Sequence, residues 1–142
     1  MKFITKEQES EIVKAIEAAE LKTSGEIRVH IESKCPGDAV QRAIAIFNYL
    51  KMYKTKERNG VLIYIACNSH KFAIIGDKGI NEKVSADFWN EIKNEMRNSF
   101  VMGDFAGGIC NAVHSAGESL ARFFPYRSDD VNEQPNEVSF GD

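Results

Sequence analysis

The sequence predicts an α/β protein, a three-layer α/β/α sandwich with a small mixed sheet between helices. Three observations lead there. Apolar residues recur at helical spacing in four separate stretches, and three short runs between them carry strand patterns. The resulting order of helix, strand, helix, strand, strand, helix, helix places helices on both faces of one sheet. A length of 142 residues with 43% hydrophobic and 27% charged side chains fits one domain with one sizeable core.

Taken in order, Thr5-Lys-Glu-Gln8 fits a capping box, and Ile12, Ala15, Ile16 and Ala19 then recur at helical spacing, so a first helix runs to about Leu21. Thr23-Ser-Gly25 stops it. Glu26 to Ser33 alternates Ile27, Val29 and Ile31 with Arg28, His30 and Glu32, which predicts a strand with one buried and one exposed face. Asp38 caps a second helix with Ala43, Ile46, Phe47, Leu50 and Tyr53 on its apolar face, closed by the basic run Lys51 to Arg58. Gly60 to Cys67 is nearly all apolar, as a central strand is, and the turn Asn68-Ser-His70 folds it back into a strand from Lys71 to Gly76.

Asn81 is the expected cap of a third helix reaching about Val101, with Ile80, Val84, Phe88, Ile92 and Met96 on one side and Trp89 beside them. Met102-Gly-Asp104 breaks it. A fourth helix from about Phe105 to Phe124 turns Ile109, Val113, Ala116, Leu120 and Phe123 inward, and Pro125 ends it. The expected organisation is thus a folded domain over residues 1–125, then an acidic, partly ordered C-terminal tail over 126–142 with few core-forming residues.

This order has a consequence for the carboxylates. A helix joins the first strand to the second, so the two run parallel through a right-handed crossover, and the hairpin makes the third antiparallel. The end of the third strand, at Asp77, then reaches the same end of the sheet as the start of the first, at Glu26. Two carboxylates there, each preceded by a glycine, can contribute to a hard-cation site, and Asp129-Asp130 in the tail can fold over the same end. Each also has a plainer reading, Glu26 as a solvated strand end and Asp77 as a turn or cap residue.

Other motifs go against more specific chemistry. A calcium-hand loop counted from Asp77 meets Glu82 where glycine is needed and Phe88 where a bidentate glutamate is needed. A phosphoaspartate D-x-D finds Gly79 in place of its second acid. Gly103 to Gly108 lacks the G-K-[ST] of a phosphate loop, and reads as a glycine-rich connection with Asp104 as cap. His114 and Glu118 stand four apart without H-E-x-x-H, and no nucleophile, base and orienter assemble around His30 or His70.

Composition excludes further classes. With 18 Lys and Arg against 21 Asp and Glu, net charge −3, the chain has no electrostatic footprint for nucleic acid. Cys35, Cys67 and Cys110 are odd in number and widely spaced, which reads as reduced thiols rather than a disulfide or zinc framework. The amino terminus has no signal-peptide pattern and no stretch is long and apolar enough for a membrane span, so a cytoplasmic monomer is the expectation.

Against these residues, the chain resembles the TPM domain family, named from a plant thylakoid-lumen protein, a photosystem II repair factor and a nematode receptor modulator. The matching parts are the opening helix with TSGEIRVHI, then RNGVLIYIA, HKFAIIGDKGIN and GDFAGGI, together covering about residues 5 to 125. The resemblance implies a Rossmann-like sandwich with an acidic calcium-binding site at one sheet edge, and an acid phosphatase activity has been attributed to a plant member. Carried over by position, Glu26 in SGEI and Asp77 in IGDKG match the family's acidic residues, with Asp129 and Asp130 as further ligands from a segment that varies among members. The chain departs from many members in lacking their signal peptide and membrane anchor.

The expected function is therefore binding of a divalent cation by the oxygens of Glu26, Asp77, Asp129 and Asp130. Flexible oxygen ligands suit Ca2+ better than the strict octahedron of Mg2+. The alternatives are a metal-assisted phosphatase, for which the sequence supplies no identifiable base, and a protein-interaction module whose acidic tail is the contact.

Overall fold

A computed structural model describes residues 4–127 and 133–141 of the chain. Along it lie α1 (Lys6–Glu20), β1 (Glu26–Glu32), α2 (Ala39–Tyr49), β2 (Gly60–Ala66), β3 (Lys71–Gly76), the single turn α3 (Lys78–Asn81), α4 (Asn90–Val101), α5 (Phe105–Ala121) and β4 (Ser139–Phe140). The strands form one sheet in the order β3-β2-β1-β4. β1 is parallel to β2 and to β4, whereas β2 and β3 are antiparallel, so the sheet is mixed as expected.

Local chemistry sets the helix starts. The Thr5 hydroxyl accepts the Gln8 amide at 3.1 Å while the Gln8 side chain accepts the Thr5 amide at 2.8 Å, which completes the capping box of α1. Asp38 caps α2 through the Gln41 amide at 3.0 Å, and Asp104 caps α5 through the Gly107 amide at 3.0 Å. Each satisfies an amide that the helix itself cannot.

The sheet separates two apolar layers. On one face Ile27, Val29 and Ile31 of β1 with Val61, Ile63 and Ile65 of β2 pack under α1, α4 and α5 through Ile12, Ile16, Met96, Ile109, Val113 and Leu120. On the other face Leu62, Tyr64 and Ala66 meet Ala43, Ile46 and Phe47 of α2 and Met52. Helices therefore cover both sides, the three-layer sandwich that the element order predicts.

Four details differ from expectation. β1 is buried at every residue, not on alternate ones. The expected third helix is interrupted, since Asp77 rather than Asn81 caps α3 and α4 does not begin until Asn90. Beyond α5 it is Phe124, 3% exposed, that enters the core, while Phe123 stays 36% exposed. Finally, the segment after Arg127 contains sheet: β4 pairs with His30 and Ile31, and Val138 is buried. Val138 and Phe140, spaced by two, supply the strand pattern that an acidic composition hid.

The three cysteines are unpaired, Cys35 buried and the other two half-buried. Among the described residues no helix is long and apolar enough to cross a membrane.

Candidate functional site

Glu26 and Asp77 do share one end of the sheet. Glu26 pairs with Gly60 across β1 and β2, and the Asp77 amide donates to the Gly60 carbonyl at 2.9 Å on the other side of β2. β2 alone separates the two residues, and both are buried.

Each carboxylate is already engaged. The Arg58 guanidinium grips Asp77 with two bonds, Nε to Oδ2 at 2.7 Å and Nη2 to Oδ1 at 2.9 Å, and the Lys78 amide adds a third at 2.7 Å. A close backbone approach makes that grip possible: a Cβ on Gly79 would lie 2.1 Å from the Glu57 carbonyl oxygen, so only glycine lets α3 sit against the 57–58 peptide. Arg58 itself holds a left-handed backbone, φ 52°. On the other side, Glu26 Oε1 accepts the amides of Glu133 at 3.0 Å and Gln134 at 2.9 Å.

Two further oxygens gather here that the sequence reading did not single out. Asn59, next to Arg58, donates its side-chain amide to the Ser24 carbonyl at 3.3 Å, while its Oδ1 is buried without a hydrogen-bond partner among the described residues. Glu20, at the end of α1, likewise has Oε2 buried and unpartnered. Burial, and then the neighbouring Glu26 carboxylate, push the Glu20 carboxyl up to about 8 despite help from the Ile27 amide. The signal for both residues was topological: parallel pairing from Glu26↔Gly60 draws in whatever precedes each strand.

Among the described residues no three His, Cys, Asp or Glu side chains stand close enough to hold a metal ion. Asp129 and Asp130 lie outside the described residues. The chain on either side of them returns to the same end, with Arg127 reaching Glu57 at 3.4 Å and Glu133 on Glu26.

The polar alternation of β1 has a structural role. Glu26, Arg28, His30 and Glu32 share one face of the strand, and the C-terminal segment 133–141 covers them in register. Glu26 takes the amides of 133 and 134; Glu137 is the charge beside Arg28; His30 Nδ1 meets Ser139 Oγ at 2.8 Å; and a Cβ on Gly141 would fall 2.5 Å from Glu32 Oε1. Arg28 Nε is buried with no hydrogen-bond partner among the described residues, and desolvation lowers that arginine's pKa, partly offset by Glu137.

At the opposite end of β1 a second cluster centres on Glu32. Arg42 binds it with two bonds, Nε to Oε2 at 2.8 Å and Nη2 to Oε1 at 2.9 Å, the Tyr64 hydroxyl donates to Oε2, and His30 Nε2 stands 3.2 Å from Oε1. Burial alone would raise the Glu32 carboxyl, yet these donors outweigh it and hold it at about 2. Burial and the Glu32 bond push the Tyr64 hydroxyl up, and burial keeps His30 below the usual imidazole range. His30 is therefore neutral at pH 7, with its Nε2 proton directed at the carboxylate. With every partner of Glu32 satisfied, and Arg42 alone among them half exposed at the mouth of a cavity, this cluster reads as a structural lock.

Comparison with known proteins follows the fold. A family model described as TPM domain matches residues 1–119. No curated protein matches. The NMR structure of the BA42 protein from the psychrophilic bacterium Bizionia argentinensis is similar at 47% identity with a TM-score of 0.93, over 99% of this chain and 97% of that one. The solution structure of the N-terminal domain of cg2496 from Corynebacterium glutamicum, at 15% identity and a TM-score of 0.66 over 99% and 81% of the two chains, shares the fold.

Proposed function

Because the chain belongs to the TPM domain family, we propose that it is a divalent-cation-binding domain, with calcium as the ion, whose site lies at the Glu26–Asp77 end of the sheet. The observation that carries the reading is the surplus of oxygen acceptors there. Two carboxylates separated by one strand share this end with Asn59, whose Oδ1 is buried without a hydrogen-bond partner among the described residues, and with Glu20, whose carboxyl the Glu26 charge helps to raise to about 8. Buried acceptors without donors are costly, and a hard cation is the partner that satisfies several at once.

The residues that would hold the ion are Glu26 and Asp77, with Asp129 and Asp130 supplied from the segment that joins Arg127 to Glu133. The ion would neutralise carboxylates that repel one another and tie that segment to the sheet. Asp77 must first release Arg58, whose side chain is 37% exposed and so has water to turn into. In the metal-assisted phosphatase alternative the same ion would polarise a phosphoryl oxygen. A base for that chemistry has no candidate here, because His30 and His114 are bonded to other groups and His70 lines a cavity at the far end.

A ligand that binds only the folded form at 100 times its Kd stabilises it by about 2.7 kcal/mol. For a domain of this size that raises the melting temperature by about 5–10 °C. The test is a melting curve in calcium and in chelator for the wild type, Asp77→Asn and the double variant Asp129→Asn/Asp130→Asn. Asparagine keeps the cap at 77, and the double variant leaves the structural segment 133–141 in place. The wild type should respond and both variants lose most of the shift; a wild type indifferent to calcium, or three equal responses, overturns the assignment.

A further inference from the structure

At the end of the sheet opposite Glu26 and Asp77, where β2 finishes and β3 begins, a cavity of about 230 Å³ opens between the strands and the helices α4 and α5. Its inner wall is Ile65, Ala66 and Phe72, and its outer wall is Phe100, Val101 and Phe105. The phenyl rings form a continuous aromatic lining: Phe72 meets Phe100 edge-on at 5.6 Å between centroids, and Phe100 lies against Phe105 at 5.0 Å. Val101 and the adjoining Met102, 82% and 83% exposed, extend the apolar surface outward.

The polar side chains of the lining are His70, Lys71 and Arg97, and among the described residues no carboxylate lines the cavity. Lys71 is committed elsewhere, its Nζ donating to the carbonyls of Cys35 at 2.9 Å and Gly37 at 2.7 Å. Arg97 is not. Its guanidinium lies 5.6 Å over the Phe72 ring and donates only to the neutral Asn94 side chain at 3.0 Å, with no carboxylate paired to it among the described residues. Asp104, next in the chain to Phe105 of the lining, has its Oδ1 on the Gly107 amide as the cap of α5.

From these we infer that the cavity is a binding site for a small aryl carboxylate, the ring held among Phe72, Phe100 and Phe105 and the carboxylate paired with Arg97. The class follows from the lining. Aromatic walls favour a flat ring, the volume is that of about eight waters and so of a single-ring compound, and an arginine already held over a ring presents a planar pair of donors to a carboxylate. The position, outside the carboxyl end of β2, is also where open α/β sheets take ligands. Nothing in this site depends on the cation reading.

The experiment uses benzoate as probe, with benzamide as its neutral isostere and acetate as the anion without a ring, followed by amide chemical shifts of the full chain. Benzoate should move the amides of Phe72, Arg97, Phe100 and Phe105 with a Kd of about 1 mM, as suits so small a ligand, while benzamide binds about fivefold to tenfold more weakly and acetate leaves these amides still. Arg97→Gln keeps the cavity and should bring benzoate down to the benzamide level; Phe100→Leu keeps a hydrophobic wall and should weaken both ring compounds together. Unmoved amides at 10 mM benzoate, about ten times the expected Kd, or equal binding of benzoate and benzamide, or an Arg97→Gln protein that still prefers the anion, overturns the inference.

Discussion

The two perturbed glutamates behave oppositely because one has donors and the other has only neighbours. Glu32, held at about 2 by Arg42, Tyr64 and His30, contributes stability that is fully present above its unfolded pKa near 4.5 and is lost as pH falls towards 2. Replacing it by Gln should cost about 3 kcal/mol at pH 7 and progressively less as pH approaches 2, read from urea midpoints across that window. Glu20 has the reverse sign. Its folded pKa, near 8 through burial and the Glu26 charge, exceeds the unfolded value, so the folded form binds the extra proton between those values and loses stability as pH rises through them. Glu20→Gln should therefore raise the melting temperature relative to wild type at pH 9 and change it little at pH 4; an equal gain at both would show that charge is not the cause. Neither role was legible in the chain. The alternation EIRVHIE reads as a half-exposed strand, and partners from elsewhere in the chain, Arg42 and Tyr64 on Glu32 and residues 133–141 on Glu26 and His30, turn its polar face inward.

Among the elements, the stretch between β3 and α4 shows how helical spacing can mislead. Ile80, Val84, Phe88, Ile92 and Met96 repeat at four, yet Asp77 caps a single turn, and the backbone turns again before Asn90. The consequence falls on two adjacent aromatics. Trp89 is buried, whereas Phe88 is only half-buried and rests edge-on against it at 4.6 Å and near Phe123 at 5.9 Å. Trp89→Ala should cost about 3–5 kcal/mol in urea denaturation and Phe88→Ala less than half as much; equal losses would mean that Phe88 carries the contact with the sheet. By contrast the starts of α1, α2 and α5 and the hairpin were legible, because a side-chain cap or a short turn marks them in the sequence itself, whereas α2 and α5 stop at Tyr49 and Ala121 and leave the expected Tyr53 and Phe123 exposed.

At the level of the molecule, the sandwich and the placing of Glu26 and Asp77 at one end of the sheet were legible because connection rules act on element order alone. The closing segment was not, since an acidic composition says nothing about a strand that buries Val138 and extends the sheet by two residues. A chain ending at Arg127 should lose about 3–5 kcal/mol, from Val138 and the bonds to Glu26, His30 and Ile31, measured as a lower urea midpoint. An unchanged midpoint would make the segment peripheral.

That late pairing also bears on how the chain is made. His30 and Ser139 are 109 positions apart, so when synthesis has passed Arg127 every other strand is available and β1 still has a bare edge. An open edge next to a ready hydrophobic layer invites pairing with another nascent chain. Here that edge carries Glu26 and Arg28, charges that a foreign strand would have to bury without the amides and the Glu137 carboxylate that residues 133–141 provide. Side chains that look misplaced in a finished core are thus ones that oppose foreign pairing at an unfinished edge.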